Sequence, residues 1–322
     1  MKIKMLSLMM LLVCTACGGG KSNGDTTSAG GGGAGETVAD GEAMVERGDF
    51  QGGAALFTRL VSERPDDPKA HYYLALCKKQ LGDVDGAVAY YEKAIALDDN
   101  LMDAHINLGL LLMDTGDLKR AESELKRYLD ASPDAADAHF NYGLVQETMG
   151  ALVKAEAHYQ KAAELDSEDP SPLFGLGDVA RQQGDKAKAL SFYEKARALD
   201  PEMPELLFVE GTTLLEMNEI AKACERFEEL LSMSTPDLVA VSEAGKTIAK
   251  ADKACAMKLY RGALEKDDGF AAAHFYLANL LARDRQFKEA AAHFEKFLTI
   301  APNDPAAADA QKRLDVCKAQ IK

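Results

Sequence analysis

The chain has 322 residues, 47% of them hydrophobic and 28% charged, with no Trp and a net charge of −15 at neutral pH. That charge argues against nucleic acid as a partner, because a phosphate backbone is held by clustered Lys and Arg that displace its counterions. The balance is uneven: residues 1–237 hold 23 Lys and Arg against 41 Asp and Glu, whereas 238–322 hold 14 against 11. An acidic stretch therefore precedes a near-neutral end, and the two would favour different partners.

Residues 1–17 have the form of an export signal. Lys2 and Lys4 make a positive start, and Met5 to Val13 is a largely apolar run without an acid. As a helix that run spans roughly 14 Å, about half a bilayer core, too short for a transmembrane anchor. The segment Val13-Cys14-Thr15-Ala16-Cys17 resembles a bacterial lipobox, with Cys14 where Leu is usual. The resemblance implies cleavage before Cys17, lipidation of its sulfur and, with Gly18 following it, an outer-membrane anchor facing the periplasm. Residues 18–35 contain nine glycines among small polar residues and are expected to form a disordered tether. A chain of that kind has a reach of roughly 20–25 Å.

From residue 34 onward the chain repeats itself. Gly48-Asp49, Gly82-Asp83, Gly116-Asp117 and Gly184-Asp185 share one spacing, each glycine falling a multiple of 34 residues after the first, and Gly150 keeps the glycine. Five residues past each glycine stands a small residue: Gly53, Ala87, Ala121, Ala155, Ala189, and then Ala223. Four further on comes a bulky one: Phe57, Tyr91, Leu125, Tyr159, Tyr193, Phe227. Glycine permits the left-handed turn that reverses the chain between two helices. The small residue lets the helices approach, and the bulky one, a turn along the same face, fills the gap.

This pattern resembles the tetratricopeptide repeat, a helix–turn–helix unit of 34 residues. Units start at 34, 68, 102, 136, 170, 204, 238 and 271, so the repeats are expected over 36–304. The implied fold is all-α, a right-handed superhelical solenoid, closed by a capping helix over 305–322. Ala308, Leu314, Val316 and Ile321 are the expected apolar members of that helix. The seventh unit lacks the turn glycine and is one residue short near Lys250-Ala251-Asp252, and Arg285 stands at the glycine position of the eighth. Both turns are expected to bend the array differently.

Candidate chemistry is sparse. His71, His105, His139 and His274 occupy one position in four units, and stacked helices would hold them about 10 Å apart, too far to share a metal. His158 and His293 recur on second helices, and packing is the expected role of all six. Cys77, Cys224, Cys255 and Cys317 show no metal or redox spacing. Cys224 and Cys255 lie on second helices of adjacent units, where an oxidising compartment allows a bridge, but single buried thiols are the expectation. No nucleophile elbow, phosphate loop or dinucleotide fingerprint occurs. No catalytic residue, cofactor, metal or small-molecule substrate is expected, and the chain does not read as an enzyme.

The family resemblance implies that first helices line a concave groove for an extended peptide or a partner helix. Placed unit by unit, the groove residues are Tyr72, Leu76, Ile106, Leu110, Phe140, Leu144, Phe174 and Phe208, with Asp178 and Phe275 at matching levels. Asn107 and Asn141 are present, but the cations of a carboxylate clamp are missing. The implied partner is a protein segment that is apolar and basic-flanked. The chain thus resembles the pilotin and outer-membrane assembly lipoproteins, which implies a tethered scaffold for an envelope complex of the secretin, pilus, motility or outer-membrane type. The alternatives are an accessory that recruits cell-wall enzymes and a secreted adaptor without lipid.

Overall fold

The structure, a computed structural model, describes residues 36–321. The expected signal, Cys17 and tether lie outside the described residues. Among those described there are seventeen α-helices and no strand. The chain forms two compact bodies, the first ending at Ala155 and the second beginning at Glu156.

The first body contains α1 (Val38–Glu46), α2 (Phe50–Glu63), α3 (Pro68–Gln80), α4 (Val84–Leu97), α5 (Met102–Thr115), α6 (Leu118–Ala131) and α7 (Ala136–Thr148). The division falls within α8 (Leu152–Leu165). The second body continues with α9 (Ser171–Gln182), α10 (Lys186–Leu199), α11 (Pro204–Glu216), α12 (Ile220–Ser232), α13 (Leu238–Ile248) and α14 (Lys253–Lys266). It closes with α15 (Ala271–Arg283), α16 (Phe287–Ile300) and α17 (Ala307–Ile321). No described helix is long and apolar enough to cross a membrane.

One turn recurs between paired helices. Gly82 sits at φ 82° and its N–H donates to Lys79 O at 3.1 Å, while Asp83 N–H reaches back five residues to Lys78 O at 2.9 Å. This is the Schellman closure, which satisfies carbonyls that a helix end leaves open. The Asp83 carboxylate then accepts from Gly86 N–H at 3.0 Å and caps the next helix. Gly-Asp is thus one device, glycine ending a helix and aspartate starting another.

The eighth turn corrects the expectation drawn from Arg285. Arg285 adopts φ 60° and Gln286 N–H donates to Leu281 O at 2.9 Å, so the turn keeps its shape without glycine. Asn218 does the same at φ 61° in the sixth unit. The seventh turn does differ: Asp252 N–H bonds Ile248 O, four residues back, at 2.7 Å, and α13 has only 11 residues.

The core runs along the helix pairs. Tyr91, Tyr193, Tyr260, Phe57, Phe227 and Phe294 are at most 1% exposed. Each such ring contributes about 1.5–3 kcal/mol when withdrawn from water. First helices admit them by carrying a small residue opposite. A Cβ on Gly41 would lie 2.3 Å from Phe57 Cζ, and one on Gly211 2.7 Å from Phe227 Cζ.

In α17 the buried stripe is Ala310, Leu314 and Cys317. Of the apolar residues expected there only Leu314 is buried. Val316 is 60% and Ile321 48% exposed, because the stripe at spacings of four and three leaves them on the outer side.

Candidate functional site

In the first body the expected groove residues separate into two groups. Tyr72 and Leu76 on α3 and Ile106 on α5 are half-buried and keep a face open to solvent. Leu110, Phe140 and Leu144 are 8%, 5% and 5% exposed. These three are sealed among neighbouring helices and offer little surface for a ligand, since a large side chain at a helix–helix contact is covered by the next helix. Tyr72 rests edge-on against Tyr73, with ring centroids 5.0 Å apart. Asn107 ties the two helices together, its amide N–H₂ donating to Tyr72 Oη at 3.3 Å and to Asp103 O at 2.9 Å. Acids stand near the adjoining Tyr73. Burial, then the Glu42, Asp103 and Glu46 charges nearby, push the Tyr73 phenol up to about 12.

The second body shows the same separation. Phe174 on α9 is 1% exposed and packs on Tyr193 at 5.7 Å, so it belongs to the core. Phe208 on α11 stays half-buried, edge-on to Phe227 at 6.3 Å. Phe275 on α15 is half-buried beside Tyr276 and Phe297. Asp178, expected in the groove, is turned inward: Tyr193 Oη donates to its Oδ1 at 2.6 Å and Arg181 stands 3.6 Å away. Burial pushes its carboxyl above the usual carboxylate range. Glu210, a further acid that the sequence did not single out, is 1% exposed and is held by Arg197 at 2.9 Å and Arg226 at 2.8 Å.

The histidine positions carry a common hydrogen bond. Nε2 of His71, His105, His139 and His274 faces the carbonyl six residues earlier, of Pro65, Asp99, Pro133 and Asp268, at 2.8, 3.2, 3.0 and 3.0 Å. A carbonyl only accepts, so Nε2 donates, and each first helix is fastened to the end of the preceding unit. In two of them Nδ1 meets a residue 19 positions on, on the unit's own second helix: Glu124 Oε2 at 2.7 Å from His105, and His293 Nδ1 at 2.8 Å from His274. The latter contact escaped the sequence reading, although a 19-residue His–His spacing was its visible sign.

The cysteines require a correction. Cys224 on α12 and Cys255 on α14 form a disulfide, with Cα atoms 6.3 Å apart across 31 residues of sequence. Equivalent second-helix positions in regular units are 34 residues apart and separated by a helix-packing distance. Cys224 and Cys255 are within disulfide reach on either side of the short α13 of the abbreviated seventh unit. Cys77 and Cys317 remain buried thiols, and burial pushes the Cys77 thiol up to about 11.

Tetratricopeptide repeat profiles match residues 39–101, 106–170, 170–203 and 271–304, together more than half of the chain. The chain belongs to the tetratricopeptide repeat family. Its fold is the all-α repeat solenoid of that family, and its coarse role is that of a protein-interaction scaffold. The matched ranges pass over 204–270, which holds the disulfide and the abbreviated unit. Solved structures similar in fold include yeast Tom70, 19% identical, with a TM-score of 0.56 over 87% of this chain and 60% of that one. They also include pilF of Pseudomonas aeruginosa, 21% identical, with a TM-score of 0.51 over 67% of this chain and 99% of that one. MamA of Desulfovibrio magneticus RS-1 is 24% identical, with a TM-score of 0.47 over 50% of this chain and 91% of that one. No curated protein sequence matches the chain.

Proposed function

We propose that the chain is an exported scaffold, lipid-tethered at Cys17, that binds an apolar, basic-flanked segment of a partner protein and so organises an envelope complex. The observation that carries the binding reading is that Tyr72, Leu76 and Ile106 keep a face open to solvent while Glu42, Glu46 and Asp103 stand near Tyr73, the ring that Tyr72 rests against. Apolar surface next to acids suits a segment that buries hydrophobic side chains and places Lys or Arg at its flanks. Phe208 and Phe275 offer further apolar surface in the second body. The Cys224–Cys255 disulfide supports export, because such bonds persist in oxidising compartments and not in a reducing cytosol. A lipobox-like segment followed by a glycine-rich stretch fits a body held off an outer-membrane surface.

Crosslinking in native cells tests the reading when Tyr72→Ala with Ile106→Glu is compared with wild type. Loss of the co-purified partner at unchanged helical circular dichroism supports it, and undiminished capture moves the binding face elsewhere. Labelled palmitate should enter wild type and not Cys17→Ala. Equal labelling removes the anchor and leaves a secreted adaptor. A co-purified cell-wall hydrolase or synthase would instead favour the accessory role.

A further inference from the structure

We propose that the last repeat carries a second docking surface, an open groove between α16 and α17 that takes an acidic segment of a partner protein anchored by an apolar side chain. It shares no residue with the cluster on α3 and α5, and it favours the opposite charge.

The first turn of α16 and the last turn of α17 form the sides of the groove, whose volume of about 640 Å³ is that of a site for a few side chains. Its apolar wall is Phe287, Ala292 and Ile321. Phe287 is half-buried, Ala292 is exposed and Ile321 is 48% exposed. Apolar area in a concave, solvent-facing place is what a partner's side chain covers.

Charge decides what kind of segment fits. Arg285 and Lys288 line the groove, both are exposed, and neither side chain has a partner among the described residues. The acids nearby are already matched: Glu289, also in the lining, pairs with Arg261 at 3.0 Å, and Asp284 pairs with Lys253. The start of α16 lacks an acid as well. Helices α2, α4, α6, α10 and α14 each begin on an aspartate whose carboxylate accepts a backbone N–H of the first turn. Helix α16 begins on Gln286, which makes no such bond. Two unmatched cations beside an apolar wall therefore attract a carboxylate and repel Lys or Arg. A partner's Asp or Glu would meet them while an adjoining apolar residue covers Phe287 and Ile321.

Fluorescence anisotropy of a labelled short peptide, Leu residues spaced by Asp and Glu, tests the site against the same peptide with Lys for the acids. The acidic peptide is expected to bind the full chain and to lose affinity with added salt. Arg285→Gly with Lys288→Glu should weaken it about fivefold or more. Glycine takes the positive φ of residue 285 freely, so that loss should come without a loss of thermal stability. Ile321→Asp, on the exposed side of α17, should weaken it too. The Lys peptide, which the cluster on α3 and α5 would take, should respond to neither change. Unaltered affinity for the acidic peptide in both variants, or no binding of it up to millimolar concentration, overturns the proposal. So does sedimentation equilibrium in which the wild type pairs with itself and the charge variant stays monomeric, because the occupant is then a second copy.

Discussion

Gly177 and Tyr193 occupy a space that leaves no room for one more methyl group. A Cβ on Gly177 would lie 2.3 Å from Tyr193 Cε1, and the ring cannot retreat because it is fully buried and its hydroxyl is bonded to Asp178. Gly177→Ala gains about 1 kcal/mol of helix propensity but incurs about 1–3 kcal/mol of overpacking. At so close an approach the second effect wins, so denaturant unfolding should show a net loss of up to about 2 kcal/mol. Adding Tyr193→Leu should recover part of that loss, and strictly additive effects would show that the two residues do not press on one another.

Arg285 holds a left-handed turn that glycine would adopt freely. Arg285→Gly should therefore stabilise the last repeat by about 0.5–1 kcal/mol, the opposite of what glycine does inside a helix. The matching change Gly150→Ala, at φ 79°, should destabilise by a similar amount. Thermal melting of both variants checks the pair, and a shift of the same sign in each would refute the turn argument.

The bridge between Cys224 and Cys255 closes a segment of 31 residues. By chain entropy it contributes about 2–4 kcal/mol, felt chiefly in α12 to α14 because repeat proteins unfold locally. Amides of 220–266 should lose hydrogen-exchange protection in Cys224→Ser with Cys255→Ser. Those of α3 to α6 should keep theirs, and uniform loss would mean that the array unfolds as one unit.

Asp99 accepts from Arg127, which holds its carboxyl below the usual range. A depressed carboxylate contributes stability above pH 3.8 that is lost as the pH falls through the lower folded value. Arg127→Gln should move the Asp99 titration back toward 3.8 in carboxyl NMR. Because the pair is exposed, the effect on overall stability should be small and should fade with added salt.

The repeat was legible because its parts are local. Gly82, Asp83, Ala87 and Tyr91 act within one turn and one helix face, so their spacing states their job. The fate of Phe174 and Phe208 was not legible, since both occupy the same level of successive units and differ only in what the neighbouring helix covers. The disulfide was half legible: the sequence names Cys224 and Cys255 as a pair on second helices of adjacent units, but how closely those helices approach depends on three-dimensional packing around the short seventh unit. The contact of His274 with His293 went unseen because like positions were compared between units and not across the two helices of one unit.

The Cys224–Cys255 bridge also bears on what happens when the chain is pulled. Were a partner to draw on the far end while the near end stayed fixed, helix pairs would peel away in turn. The locked segment would withhold about 100 Å of contour, the extended length of 31 residues less their bridged separation. Reduction would release that slack in a single step, so under load the thiol state sets how far the molecule can stretch.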